Sequence, residues 1–379
     1  MIISPFDDPK KNLHGAYWLV NGKKIYNKFE AHKLNESTGM KDARFVFMED
    51  SYDKLDWTKE PSESWDYLCQ QRALQLRQKY KKLKLFFSGG SDSGHIWQVF
   101  EKNNIPIDEL ILCYSDHHPL RLLEFQNYVY PTAIKLVKNH PETKIRIINL
   151  GIDNYDLSIK NDAFLEGDDA KTSSWFYVPH YWGWDAFTQD PDSNSLDTGY
   201  MIGLEKSRVQ LYNNNYIFRH SDQDILFWFY HLPTVEYFYW APDMPKLFLK
   251  QTWMVVNYLE KYYPDADYVF LNKFQDRTGV SHPLLYKEWC NANGRGNLLI
   301  EECGNGTNKM AGNYHWAIQQ SINFGKNQNL KSYRIWDDTM QDLSRNWARF
   351  FRNNDPLNGF RPIFGKPYFI KIRDSKLIK

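Results

Sequence analysis

The sequence has few of the features that define several protein classes. It contains four cysteines among 379 residues, and no two of them form a CxxC pair. This argues against a disulfide framework, a cysteine-based zinc site and a dithiol redox centre. No apolar run approaches the roughly 20 residues of a membrane span, and the N-terminus has no signal-peptide pattern. We therefore expect a soluble, cytoplasmic protein without a membrane partner.

An excess of charge of one sign is also missing. The 47 basic and 46 acidic residues give a net charge of +1, so the chain as a whole has no field that attracts nucleic acid. A neutral net charge still allows a local basic patch on the surface. Aromatic residues make up 17% of the chain, which indicates either a core of large side chains or stacking on bases. The neutral charge favours the core.

The most informative segment runs from residue 83 to residue 97. An apolar run at 83–87 predicts a buried strand, and the sequence Ser-Gly-Gly-Ser-Asp-Ser follows at 88–93. Apolar residues at helical spacing predict a helix over 92–102. A strand, a Gly/Ser turn and a helix N-terminus together form an anion cradle, because backbone N–H groups and the positive end of the helix dipole point at the turn.

This turn resembles the PP-loop, SGGxDS, of the ATP pyrophosphatase superfamily, which includes asparagine synthetase-like enzymes, GMP synthetase, argininosuccinate synthetase and RNA-modifying enzymes. The fixed positions of the motif match Ser88, Gly89, Gly90, Asp92 and Ser93. The resemblance implies ATP and Mg²⁺ as cofactors, cleavage of ATP between its α- and β-phosphates, and transfer of AMP to an oxygen of a small-molecule acceptor. The alternative is a Gly/Ser-rich surface turn without a ligand. The kinase-type motif GxxxxGK[ST] is absent at this position.

The resemblance covers residues 80 to 150 and extends weakly to about 240. The length and the aromatic content of the chain are also similar to those of phage-encoded, asparagine synthetase-like PP-loop proteins. Glutamine-dependent synthetases begin with a catalytic cysteine after Met1, where this chain has Ile2, so we expect no built-in glutaminase. A tRNA or DNA base-modifying enzyme and a nucleotide-binding module without turnover are the alternative functions.

Three further apolar runs, at 109–114, 144–150 and 199–203, follow the motif strand. A helical segment precedes each of the first two of these runs. Strands that alternate with helices in this way predict βαβ units and a parallel sheet. The resemblance implies a HUP-like (Rossmann-like) α/β fold with flanking helices. We expect a small N-terminal β-rich unit at 1–63 with a hairpin at Asn21–Gly22, the nucleotide domain at 64–235 and a mostly helical region at 236–379. Homo-oligomerisation is left open.

Within the 88–93 loop, the backbone and the hydroxyl groups have separate expected roles. Backbone N–H groups of Gly89, Gly90 and Ser91 are expected to hold the pyrophosphate. The hydroxyls of Ser88 and Ser93 can donate hydrogen bonds to phosphate oxygens.

Asp92 cannot face a phosphate usefully unless a cation intervenes. The resemblance implies that this cation is Mg²⁺, and the alternative is a helix N-cap, which Asp favours. The segment after the fourth strand should share the same sheet edge, so Lys206 and Arg208 are candidates for stabilising the leaving group and Glu205 for a second magnesium ligand. A solvated charged turn is the alternative there. Catalytic roles are thus expected for Asp92, Lys206 and Arg208.

Ser115 and Asp116 follow the second strand of the sheet and should also reach the ligand edge. In the superfamily that the motif resembles, this position approaches the adenine and ribose. Adenosine contact and an ordinary surface loop are the two interpretations.

Overall fold

A computed structural model describes residues 16–26, 28–39, 42–114, 119–149, 190–203, 206–222, 234–274, 283–295, 338, 341–342, 344–354 and 361–373. The strands, in chain order, are β1 (Tyr17–Val20), β2 (Lys23–Ile25), β3 (Ala43–Val46), β4 (Lys82–Phe86), β5 (Glu109–Tyr114), β6 (Lys144–Asn149), β7 (Thr198–Ile202), β8 (Val209–Tyr212), β9 (Asn215–Phe218), β10 (Val235–Tyr237) and β11 (Tyr368–Ile372). The helices are α1 (Lys28–Ser37), α2 (Glu49–Tyr52), α3 (Trp65–Lys79), α4 (Ser91–Lys102), α5 (Pro119–Glu124), α6 (Tyr130–Val137), α7 (Pro245–Tyr262), α8 (Tyr268–Phe274) and α9 (Pro283–Ala292). Short 3₁₀ turns lie at Ala348–Phe350 and Arg352–Asn354.

The central element is a sheet of five parallel strands in the order β10-β7-β4-β5-β6. It confirms the predicted α/β class. The chain enters the sheet at β4, moves outward through β5 and β6, and returns to the other side of β4 with β7 and β10. The order reverses between β4 and β7, and in open sheets of this kind ligands bind beyond the carboxyl ends of the strands at such a reversal.

β4 is buried in the middle of this sheet, as a parallel strand covered on both faces must be. The side chains of Leu83 and Leu85 have no exposed surface, and Lys84 between them is 1% exposed. Lys84 is tolerated there because its Nζ lies 2.9 Å from a carboxylate oxygen of Glu109 and 2.7 Å from one of Asp190. These ion pairs hold the segment that leads into β7 against the centre of the sheet.

The connection from β5 to β6 is helical and contains Pro131. The structure shows α5, a π-helical turn at Phe125–Val129, and then α6, with Pro131 at its start. Proline has no backbone N–H to donate, and a widened turn before it accommodates the missing helical hydrogen bond.

Two small antiparallel sheets flank the central one. The N-terminal sheet has the order β2-β1-β3, and its hairpin turns at Asn21 and Gly22, which have φ of 47° and 75°. Positive φ at both positions is what a type I′ turn requires, so the predicted hairpin is confirmed. The other sheet has the order β11-β9-β8. Neither β11 nor its pairing with β9 was predicted from the sequence. β11 adds a strand to the region at 236–379, which was expected to be mostly helical.

The N-terminal unit shares an apolar core with the rest of the described chain. Trp57 stacks on Phe218 with ring centroids 5.3 Å apart and on Tyr368 at 4.6 Å. The expected boundary at residue 63 lies just before α3, whereas the boundary at 235 falls within β10. In the described part of the chain, no helix combines the length and the apolar character that crossing a membrane requires.

Candidate functional site

The 88–93 loop leaves the carboxyl end of β4 at the point where the strand order reverses. Gly89 has φ of +66°, and a β-carbon there would lie 3.5 Å from the Cα of Val129. The left-handed backbone at this position favours glycine. The Ser93 hydroxyl accepts a hydrogen bond from the Ser88 N–H at 3.2 Å and donates to the Gly90 carbonyl at 3.4 Å. Ser93 therefore braces the loop from inside.

The helix that follows the loop starts without a side-chain cap. Its N-cap is Gly90, in an extended conformation with φ of −86° and ψ of 171°. The first backbone N–H groups of a helix have no partner within the helix, and the helix dipole places partial positive charge at this end. No side chain caps this end of α4, which follows the carboxyl end of β4, so the N–H groups of its first turn can bind an anion.

The carboxylate of Asp92, in that first turn, is held by two cations. Lys206 Nζ lies 2.7 Å from both carboxylate oxygens, and Arg295 Nη1 lies 2.9 Å from Oδ1. The side chains of Lys206 and Arg295 are 6% and 0% exposed. Burial alone would raise the pKa of the Asp92 carboxyl, but the charges and hydrogen bonds of the two cations outweigh it and hold that pKa well below its usual range.

Lys206 reaches this position because the end of β7 lies against α4. A β-carbon on Gly203 would be 2.7 Å from Ile96 Cδ1 and 3.0 Å from the carbonyl oxygen of Asp92. The segment beyond Gly203 is fixed at Ser207, whose N–H donates to Asn293 Oδ1 at 2.9 Å. The structure thus brings together two residues predicted from the sequence, Asp92 and Lys206.

Arg295, which the sequence analysis did not identify, is presented by the C-terminal end of α9. Gly294 adopts φ of +70°, its N–H donates to the Asn291 carbonyl, and the Arg295 N–H donates to the Cys290 carbonyl. This pair of hydrogen bonds is a Schellman motif, which ends a helix at a glycine. The indole N–H of Trp65 also donates to the Gly294 carbonyl at 3.0 Å, so the position of the arginine is fixed from two sides.

A chain of aromatic side chains supports the Asp92 backbone and Arg295. The Arg295 guanidinium lies 3.7 Å from the centroid of the Tyr239 ring, and the Tyr239 hydroxyl donates to the Asp92 carbonyl at 3.3 Å. His95 Nδ1 lies 2.8 Å from that hydroxyl. Burial and the Arg295 charge lower the pKa of His95 to about 4. Because the Tyr239 hydrogen goes to the Asp92 carbonyl, the neutral ring is the donor to Tyr239, through an Nδ1 hydrogen.

Arg208 and Lys206 share an aromatic neighbour. The Arg208 guanidinium is 5.9 Å from the centroid of the Trp289 ring, and Lys206 Nζ is 5.6 Å from the same ring. The structure thus places both predicted cations beside the Trp289 indole, and Lys206 also pairs with Asp92. The remaining candidates, Ser115, Asp116 and Glu205, lie outside the described residues, and their roles stay predictions.

The described residues do not fit a Mg²⁺ ion held by Asp92. Both of its carboxylate oxygens already face cations, and a divalent ion placed there would be repelled by the ammonium and the guanidinium. Among the residues whose placement is described, no group of three His, Cys, Asp or Glu side chains lies close enough together to hold a metal. Magnesium is usually held by one or two carboxylates together with waters and substrate phosphates, and the one carboxylate described here is already paired with two cations.

The arrangement as a whole is suited to an anion with several oxygens. Helix N–H groups from the 88–93 loop and an ammonium group from the segment after β7 meet at one sheet edge. Both kinds of donor are used by proteins to bind phosphates. Comparison of the chain with protein-family models, with curated proteins and with solved structures found no match in any of the three.

Proposed function

We propose that the protein is a cytoplasmic enzyme that binds ATP at this sheet edge and cleaves it to AMP and pyrophosphate, adenylating an oxygen of a small-molecule acceptor. One observation carries the proposal. The uncapped N-terminus of α4 and the side chain of Lys206 meet where the strand order reverses, between β4 and β7. Helix N–H groups and an ammonium group are complementary to a pyrophosphate leaving group.

In the proposed reaction the acceptor oxygen forms a bond to the α-phosphorus as the bond from that phosphorus to the α–β bridging oxygen breaks. Pyrophosphate leaves with the electron pair, and Lys206 stabilises the charge that develops on it. A nitrogen nucleophile then attacks the activated carbon of the acceptor, and AMP leaves with its oxygen. The described residues do not fit a Mg²⁺ ion held by Asp92. We therefore expect Mg²⁺ to enter the site bound to the nucleotide.

Other candidate residues enter the proposal as supporting contacts. Arg208 would add a second cation near the leaving group, and Ser115 and Asp116 would contact the adenosine. Glu205, the candidate magnesium ligand, would lie near the same sheet edge.

Product analysis with ATP labelled at the α-phosphate tests the proposal. With Mg²⁺ and a cell metabolite extract, the protein should form labelled AMP and an equal amount of pyrophosphate, and Lys206→Met should lose this activity. Lys250→Met is the matched control. Lys250 lies on α7, where it pairs with Glu60 at 2.6 Å, and it is not part of the site.

Each alternative gives a different result in this assay. Labelled ADP instead of AMP would overturn the proposal in favour of a kinase or an ATPase. AMP formation that disappears when the extract is treated with nucleases would identify a nucleic acid as the acceptor. ATP binding without turnover in any extract would favour a nucleotide-binding module.

A further inference from the structure

Asp92 lies between two cations that come from different parts of the chain, one after β7 and one after α9. We propose that Asp92 is a positioning residue that holds Lys206 and Arg295 at the 88–93 loop, in place of ligating Mg²⁺, and that Arg295 keeps Lys206 available to the pyrophosphate. This inference rests on the proposed function and adds Arg295 to its machinery.

The charges of the three side chains support this assignment. One carboxylate, one ammonium and one guanidinium carry together a net charge of +1. This net charge repels Mg²⁺ and attracts a phosphate, and the low polarity of a buried site strengthens both effects. An ammonium group has three hydrogens to donate, and two of them can serve the Asp92 oxygens. Because Arg295 shares that carboxylate, Lys206 can turn one hydrogen from Asp92 to a phosphate oxygen.

The two cations differ in how firmly they are held. Arg295 is fully buried, fixed by the turn at Gly294 and packed on the Tyr239 ring at 3.7 Å. Lys206 carries a point charge on a flexible stem. When a phosphate binds, Lys206 can shift toward it while Arg295 continues to neutralise the Asp92 carboxylate. Without Arg295, that carboxylate would retain Lys206 for itself.

A pair of variants tests this division of roles through pyrophosphate binding. Arg295→Met leaves Asp92 with Lys206 alone, and the affinity for inorganic pyrophosphate should fall about tenfold or more. Adding Asp92→Asn to Arg295→Met releases Lys206 from the carboxylate, and most of the lost affinity should return. Titration calorimetry with inorganic pyrophosphate in the absence of Mg²⁺, on protein shown to be folded by circular dichroism, measures both effects.

Arg72→Met is the matched control. Arg72 is also fully buried and lies 2.8 Å from a carboxylate, that of Glu236, but it joins α3 to β10. This variant should lose stability and keep its pyrophosphate affinity. A purely structural role for Arg295 predicts additive losses, so a double variant that binds more weakly than Arg295→Met would overturn the inference.

The outcomes also separate this inference from the proposed function. Wild-type protein that binds neither ATP nor pyrophosphate would overturn both. Wild-type binding that Arg295→Met leaves unchanged would overturn only the inference. A further measurement does not depend on the Arg295 variants folding: electron paramagnetic resonance of Mn²⁺ with nucleotide-free protein should show no tight binding at Asp92. Tight Mn²⁺ binding that Asp92→Asn abolishes would restore the metal-ligand role and overturn the inference.

Discussion

A β-carbon on Gly203 would lie 3.0 Å from the carbonyl oxygen of Asp92, so the end of β7 can approach the first turn of α4 only because residue 203 has no side chain. The contact joins the two strand-end segments from which the proposed phosphate site is built. One is the 88–93 loop after β4, and the other is the segment after β7 that presents Lys206.

Gly203→Ala should therefore damage the site as well as the fold. The new methyl group meets a helix backbone that cannot move without shifting α4. We expect a loss of about 1–3 kcal/mol in the free energy of unfolding and a loss of ATP affinity in the protein that remains folded. Urea unfolding and ATP titration calorimetry measure the two effects separately.

Gly199→Ala is the control for this prediction. Gly199 lies on the same strand at its other end, and a β-carbon there would lie 2.4 Å from the Tyr80 ring. This variant should lose stability and retain ATP affinity. Equal losses of affinity in the two variants would show that the contact with Asp92 has no special importance for binding.

Ser93→Ala tests whether the 88–93 loop is braced from inside. The substitution removes the hydroxyl that accepts from the Ser88 N–H and donates to the Gly90 carbonyl. Loss of these two partly buried hydrogen bonds should cost about 1 kcal/mol of unfolding free energy and weaken ATP binding. Ser91→Ala is the comparison, because the Ser91 hydroxyl lies 3.1 Å from Asp92 Oδ1 and 3.6 Å from Cys290 Sγ and contacts no backbone group of the loop. If Ser91→Ala weakens binding more than Ser93→Ala does, the bracing role is wrong.

The strands and the loop of this fold are readable from local patterns. Strands β5 and β7 are largely apolar because parallel strands inside a sheet are covered on both faces. Lysine or arginine interrupts the apolar residues of β4 and β6, and the Gly/Ser turn marks the loop by itself. The strand β11 was missed since it pairs with β9, far away in the chain. A short apolar run beside Gly365 and Pro367 does not show which strand it will join.

The sequence of the 88–93 loop indicates that a cation must accompany Asp92 if a phosphate binds there. It does not indicate which cation this is. The Gly294 signal at the end of α9 locates a turn and says nothing about where the next side chain points. That Arg295 reaches Asp92 depends on how the end of α9 is held, by Ser207 at Asn293 and by Trp65 of α3 at Gly294. Such contacts between distant parts of the chain cannot be read from spacing.

Lys206 and Arg208 should differ in their importance for turnover. Both side chains lie beside the Trp289 ring, but Lys206 also pairs with the Asp92 carboxylate at the helix end, at 2.7 Å. In the AMP-forming assay we expect Lys206→Met to lower kcat/KM about 100-fold or more, equivalent to about 3 kcal/mol of transition-state stabilisation. Arg208→Met should lower it about tenfold or less. The reverse order would place Arg208, and not Lys206, at the leaving group.

His95 should make the stability of the protein depend on pH. Burial first, and then the Arg295 charge, lower its pKa from 6.5 to about 4, against the opposing effects of Asp92 and Asp66. As the pH falls below 6.5, the unfolded chain takes up a proton that the folded ring does not bind until about pH 4. The unfolded state binds more protons in this window, so stability falls as the pH is lowered through it.

His95→Gln removes this titration and keeps a side chain that can donate to Tyr239. Between pH 7 and pH 4 the wild-type protein should lose more unfolding free energy than the variant does, by about 2 kcal/mol for a ring that is partly exposed. Urea unfolding at pH 7, 6, 5 and 4 gives the two curves, which should run parallel above pH 7. Other groups that titrate in this window, including His32, whose pKa is lowered to about 3, act equally on both proteins and cancel in the difference. Curves that stay parallel down to pH 4 would mean that His95 takes up its proton as readily in the folded protein as in the unfolded chain, and that the Arg295 charge does not reach it.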